Sequence, residues 1–286
     1  MTWHDTIAYI RSQPEFQDLV RLAYFDSDLT KNVERFGESE EFKETLELVQ
    51  RWAPDAKTIV DIGAGNGIAA VNFALKGYIV TAVEPDPSTT VGAGAIIGLQ
   101  QQYQLNNLTV CRSTAENLPL PDNSVDIVYV RQAMHHAANL VQFMANIARV
   151  LKKEGLCITV RDHVVFDAAD KERFLAAHPL HRFYGGENAF HPNEYIHAMQ
   201  QAGLTVLKEW KHFDSVLNYF PESTDNILHH TERMDQLLRQ SLQKKIGQLA
   251  KIPFLFRLYQ WKNKALYTLD EQKIPGRMYS YLCIKK

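Results

Sequence analysis

Only three cysteines occur among the 286 residues, Cys111, Cys157 and Cys283, and no two of them form a C-x-x-C pair. A thiolate zinc site of ordinary spacing is therefore excluded, and cysteines set in apolar runs point to free buried thiols in a reducing, cytoplasmic compartment. No stretch approaches the roughly 18–20 consecutive apolar residues that cross a bilayer. The opening residues MTWHDTIAYIRSQPEF lack the basic-then-apolar order of a secretory leader. Neither sign of charge is in excess: 31 basic residues face 33 acidic ones, for a net charge of −2. Such a balance gives no global field for nucleic acid. Internal repeats, low-complexity tracts and clean linkers are also missing. What remains is an ordinary globular composition, 45% apolar and 22% charged, and one domain with decorations at both ends.

The apolar pattern divides that domain. Residues 1–52 read as helices; in EEFKETLELVQRW, Phe42, Leu46 and Leu48–Val49 recur at helical spacing behind Ser39, a helix start. From 53 to 163 short apolar runs alternate with helices. KTIVDIG, YIVTAVEPD, LTVCRS, SVDIVYV and GLCITVRDH are expected strands, and the helix over 139–155 is strongly periodic. This alternation predicts βαβ units: an α/β fold with a Rossmann-like, doubly wound parallel sheet. Residues 164–221 supply further elements on what would be the acceptor side. Residues 222–268 read as a helical insertion, and 269–286 end in a strand, RMYSYLCIKK.

In VDIGAGNG, Gly63, Gly65 and Gly67 sit between a strand and a helix, with Ala64 among them. Glycines there allow a tight turn and close approach of a ligand to the backbone. The spacing departs from the dinucleotide fingerprint, which needs its third glycine or alanine at 68, where Ile68 stands. Asp61 lies two residues before the first glycine; a carboxylate there suits a cationic cofactor better than a pyrophosphate. Glu84 ends the second strand, followed by the turn Pro85–Asp86–Pro87. A carboxylate at that place can accept hydrogen bonds from ribose hydroxyls, in a nicotinamide cofactor or in S-adenosylmethionine.

The four blocks VDIGAGNG, AVEPDPS, STAENLPLPDNSVDIVYVRQAMHH and RVLKKEGLCITVRDH, in this order, resemble the class I S-adenosylmethionine-dependent methyltransferases, small-molecule branch. The resemblance covers residues 57–163 and, loosely, the last strand. It implies a seven-stranded sheet whose last strand is antiparallel, S-adenosylmethionine as cofactor with S-adenosylhomocysteine as product, and methyl transfer to a small-molecule acceptor. It also implies that the glycine loop holds the methionine part, Glu84 the ribose, and Thr114, Ala115 and Glu116 the adenine. Arg131 and Gln132 would line the methionine end. The family commonly has Asp where Thr114 stands, so the adenine contact is weakened here or passes to Glu116. The N-P-P-[YF] tetrad of nucleic-acid methyltransferases is replaced by YVRQ. Two alternatives stay open: non-methylating chemistry with the same cofactor, and a catalytically silent binding protein.

Proton-accepting candidates follow the fourth and fifth strands: His135 and His136, then Asp162 and His163. Spacing offers no third partner for a metal beside Asp162 and His163, so no metal site is expected. The loop HRFYGGENAFHP carries Tyr184, Glu187 and Asn188, expected with His136 in an acceptor pocket, or else as a turn before the helix at Pro192. Tyr24, Asn32, Arg35 and Phe36 mark an N-terminal lid, with Arg35 offered to a carboxylate. The segment 244–264 carries six basic residues, no acid and four aromatics. Its expected role is a helix packed on the domain by its apolar face, with a lid over an apolar or anionic acceptor and a membrane surface as the other readings. A homodimer is compatible with the sequence.

Overall fold

Runs rich in Val and Ile become strands, because branched side chains pack well on a pleated surface. In the computed structural model, which describes residues 1–219 and 222–286, these are β1 (Thr58–Ile62), β2 (Ile79–Val83), β3 (Leu108–Cys111), β4 (Val125–Arg131) and β5 (Leu151–His163). β6 (Leu204–Trp210) and β7 (Met278–Lys285) complete one sheet in the order β3-β2-β1-β4-β5-β7-β6. β7 runs antiparallel to both its neighbours, and the β1–β5 pairings are all parallel. The expected seven-stranded α/β sheet with an antiparallel last strand is the fold observed.

Successive strand residues point to opposite faces, so one strand feeds two cores. Ile59, Ala82, Ile127, Tyr129 and Ile158 pack under the N-terminal helices. Val60, Val83, Val128, Val130 and Cys157 face the helices Leu140–Val150 and Pro192–Gln201. Each fully buried Val or Ile contributes about 1.5–3 kcal/mol. The chain leaves β1 for β2 on one side and later returns to place β4 on the other. Ligand clefts open at such a switch, beyond the carboxyl ends of the strands.

Two expectations need correction. The helix expected over 139–155 ends at Val150, because Leu151 already pairs with Val125 and opens β5. The basic segment 244–264 does not lay its apolar face on the sheet domain. Phe256 packs with Leu238 and Leu242 of the helix His230–Ile246, in a cluster of the insertion's own. Phe254 and Trp261 remain 70% exposed. Residues 220–221, where the acceptor-side elements meet the insertion, lie outside the described residues.

Candidate active site

Every strand that matters for the site ends at the same rim. β1 ends in Asp61–Ile62 and turns through the glycine loop. At Gly63, φ is +66° and a Cβ would lie 2.4 Å from that of Ala133, so only glycine fits. Gly65, at φ +56°, has no atom within 4 Å of where its Cβ would be and faces open space. The Gly65 N–H donates to Glu84 Oε2 at 2.8 Å, and the Asp86 N–H donates to Oε1 at 2.9 Å. These bonds aim the carboxylate at the loop. Burial nevertheless pushes Glu84 up to about 7.

Two clefts meet at this loop, each with a volume of about 380 Å³. One runs past Glu84, Pro85, Ser113, Thr114, Ala115 and Glu116. The other runs past Asp61, Ala64, Arg131, Arg161, His163 and Glu187. Gly63, Gly65, Gln132 and His136 border both. Gly67 caps the helix Ile68–Leu75 in a left-handed conformation and borders neither. Glu116 commits one carboxylate oxygen to the Ala138 N–H at 3.0 Å, leaving the other for a ligand.

Asp61 is buried, and its Oδ2 has no hydrogen-bond partner among the described residues. Burial lifts it to about 7, against the pull of the Ala70 N–H and Arg131. A lone buried carboxylate oxygen at the mouth of a cleft is matched by a cationic ligand group.

The far end of the second cleft is a histidine cluster. Nδ1–H donates to Asp162 Oδ1 from His135 (3.0 Å), to the Gly186 carbonyl from His136 (3.0 Å) and to the Gly276 carbonyl from His163 (2.7 Å). His135 Nε2 lies 3.5 Å and His136 Nε2 4.0 Å from Glu187 Oε2. His178 Nδ1 lies 3.7 Å from Glu187 Oε1, which also accepts the Tyr184 hydroxyl. Burial alone would lower His135, but its bonds to Asp162 and Glu187 lift it to about 9. Burial and the charge of His135 drop His136 to about 4 and His163 well below the ordinary range. Burial raises Glu187 and the histidines around it outweigh that, holding it low.

Of the sequence candidates, Asp162 is fully buried behind His135 and does not border either cleft. Asn188 does not border them either, while Tyr184 and Glu187 do. Arg35 is not offered to a ligand: it pairs with Asp26 at 2.6 Å inside the N-terminal helices. His191 caps the helix at Pro192, accepting from the Asn193 N–H at 3.1 Å.

Three features of the clefts and their supports escaped the sequence. Glu41, fully buried on the helix Glu40–Trp52, bridges Arg131 (2.5 Å) and Arg161 (3.2 Å). It ties that helix to the ends of β4 and β5, and an acid on a helix face carries no signal for this. Trp3 borders both clefts and meets Tyr184 edge-on at 4.9 Å. Its signal was a tryptophan in a short capped helix, Trp3–Ser12. Arg161 stands at φ +63° in a bulge of β5, where pairing with β7 shifts between Thr159 and Asp162. Bulges re-aim side chains beside active sites.

A family described as "Methyltransferase domain" matches residues 60–159. The chain is 31% identical over 142 residues to the uncharacterized methyltransferase YcgJ of Bacillus subtilis, covering 48% of this chain and 54% of that protein. It is 28% identical over 203 residues to dimethylglycine N-methyltransferase of Parasynechococcus marenigrum, covering 68% and 65%. It thus spans between half and two thirds of the length of these two relatives. The fold is similar to geranyl diphosphate C-methyltransferase of Streptomyces coelicolor, solved with Mg2+, geranyl diphosphate and S-adenosyl-L-homocysteine. That similarity has a TM-score of 0.56 at 13% identity, covering 97% of this chain and 87% of that one. Residues 60–159 thus match a methyltransferase domain, within a sheet whose fold is that of the methyltransferase structures. The family's cofactor fits the residues present: Asp61 has an unmatched carboxylate oxygen for a cation, Gly65 leaves backbone open, and Glu84 stands ready for hydroxyl donors.

Proposed function

We propose that this protein transfers a methyl group from S-adenosylmethionine to a small-molecule acceptor by direct in-line displacement. The observation that carries this reading is the meeting of two clefts at Gly63 and Gly65, with Glu84 along one and a buried histidine–carboxylate cluster at the end of the other. S-adenosylmethionine supplies a methyl carbon already activated by its sulfonium. The protein's part is to align the acceptor and exclude water.

Glu84 accepts from the ribose hydroxyls, Pro85, Thr114, Ala115 and Glu116 flank the adenine, and Asp61, Ala64, Arg131 and Gln132 border the methionine end. Trp3, Leu19, Leu22 and Phe25 roof the cleft that leads to the acceptor end. There His135, His136, His163, Glu187 and Tyr184 receive the acceptor. Asp162 acts through His135 as a positioning residue.

Isothermal titration with S-adenosylmethionine, S-adenosylhomocysteine and NAD tests the cofactor. Micromolar binding of the first two, none of NAD, and loss in Glu84→Ala is the expected outcome. Release of S-adenosylhomocysteine on adding acceptors then tests transfer; NAD binding alone would overturn the reading.

The insertion supports a second contact, with an anionic membrane surface. Leu249, Phe254, Leu258 and Trp261 are exposed beside Lys244, Lys245, Lys251, Arg257, Lys262 and Lys264. Aromatic and basic side chains together suit the boundary of lipid headgroups.

A further inference from the structure

Two histidines and a carboxylate from three separate elements converge at the acceptor end. His135 comes from the turn after β4, His163 from the end of β5 and Glu187 from the loop before the helix Pro192–Gln201. One donor atom of each lies within 4.8 Å of the others. The side chains of His135 and Glu187 are 2% and 5% exposed, and His163 is 7% exposed. In both histidines Nδ1–H is committed, to Asp162 in one and to the Gly276 carbonyl in the other. That leaves each Nε2 as the ring atom for a ligand, His135 Nε2 facing Glu187 Oε2 at 3.5 Å, where a cation would replace the proton between them. Histidines that ligate metals are held in this way, by a carboxylate or carbonyl that fixes tautomer and ring orientation.

We propose that His135, His163 and Glu187 bind one first-row divalent cation of the zinc type, with its remaining coordination positions open to the cleft. Two imidazoles and a carboxylate favour such an ion over magnesium or calcium. Three protein ligands with an open position are the form of a catalytic metal site rather than a structural one. Bonds of about 2.0–2.2 Å set ligand atoms roughly 3.4 Å apart. Side-chain rotation closes the difference. Sequence spacing hid the site because Glu187 reaches it from a loop 24 residues beyond His163.

The ion's role rests on the methyl-transfer reading. Its open positions would take the heteroatom of a protic acceptor, an alcohol, thiol or amine. It would favour loss of the O–H, S–H or N–H proton to solvent.

The test is titration of the full chain, stripped with a chelator, with zinc chloride by calorimetry. Cobalt(II) absorption in the visible reports the ligand field. One equivalent of zinc is expected. Binding should weaken at least about 100-fold in His163→Ala and Glu187→Gln, and about 10-fold in Asp162→Asn, whose carboxylate only orients His135. His229→Ala, at an exposed histidine outside the cluster, should leave it unchanged. Glu187→Gln keeps side-chain volume, and its melting curve reports folding. No zinc binding, full binding in a His135→Ala/His163→Ala double variant, or equal losses in His163→Ala and His229→Ala would overturn the proposal. S-adenosylhomocysteine titration of the metal-free protein is read separately, so failure of the cofactor reading is distinguishable from failure of the ion site.

Discussion

Asp162 holds His135 twice: its Oδ1 accepts the His135 backbone N–H at 3.1 Å and the imidazole Nδ1–H at 3.0 Å. One carboxylate oxygen thus fixes both the turn after β4 and the ring that the turn carries. Asp162→Asn places an amide N–H2 or an unmatched oxygen in a fully buried position. We expect unfolding free energy to fall by about 1–3 kcal/mol and turnover to fall at least about 10-fold. S-adenosylhomocysteine affinity should stay within twofold, because Asp162 borders neither cleft. Urea unfolding and calorimetry check both halves; equal loss of affinity and turnover would mean a general collapse.

Glu84 makes cofactor affinity depend on pH. Its folded pKa is raised to about 7, so the fold favours the protonated carboxyl. The group's stabilising contribution is present below the unfolded value and is lost as pH rises through about 7. Ribose hydroxyls need the ionised form as acceptor. Affinity for S-adenosylhomocysteine should therefore fall as pH drops from 8 to 6, and Glu84→Gln should flatten that dependence. Calorimetry across this range measures it.

Asp61 follows the same sign, being lifted to about 7 by burial. Replacing it by Asn removes a charge that the ligand-free fold holds at a cost above neutrality. Asp61→Asn should melt higher than the parent at pH 8 without cofactor, with the gap closing towards pH 5. Affinity for S-adenosylmethionine should drop about 10-fold, the loss of roughly 1.4 kcal/mol of charge attraction. A lower melting point at pH 8 would show that Asp61 stabilises the empty protein.

Glu41 sits between two guanidinium groups, fully buried. Glu41→Gln leaves Arg131 and Arg161 facing each other without the anion. Breaking a buried ion pair from one side is strongly destabilising, about 3–5 kcal/mol. The loss should be seen in thermal unfolding, with faster cofactor dissociation because the N-terminal helices lose their tie to β4 and β5.

The insertion's exposed face should bind vesicles containing anionic lipid at low salt. Replacing Phe254 and Trp261 by Ser should abolish flotation without altering the melting point, since neither packs in the insertion's cluster. Absence of co-flotation removes the membrane contact.

The sheet was readable because its strands announce themselves: Ile59–Val60 and Val80 sit in apolar runs bounded by turns, and period-two alternation assigns them to faces. The cofactor side was readable for a related reason. Gly63, Gly65, Asp61 and Glu84 lie within one βαβ unit, so sequence proximity stands in for spatial proximity. The acceptor side was not. His135, His163 and Glu187 are brought together by the order of β4, β5 and the loop beyond, and spacing along the chain does not encode it. Glu41 and Trp3 act across still longer separations. The error at 244–264 has another cause: an amphipathic pattern says that a face is buried, not what buries it.

The carbonyl that orients His163 belongs to Gly276, one residue before Arg277, which is locked to Asp170 by two bonds of 2.5 and 2.9 Å. Both precede β7, which lies between β5 and β6 and, among the described residues, is the only strand paired with β6. The cleft past Glu84 can therefore form while the histidine end of the other cleft is still unset. Until β7 is threaded in, β5 and β6 each present an open edge to whatever strand comes near. β7 therefore acts as a keystone: the carbonyl that orients His163 is fixed only once that strand is seated between β5 and β6.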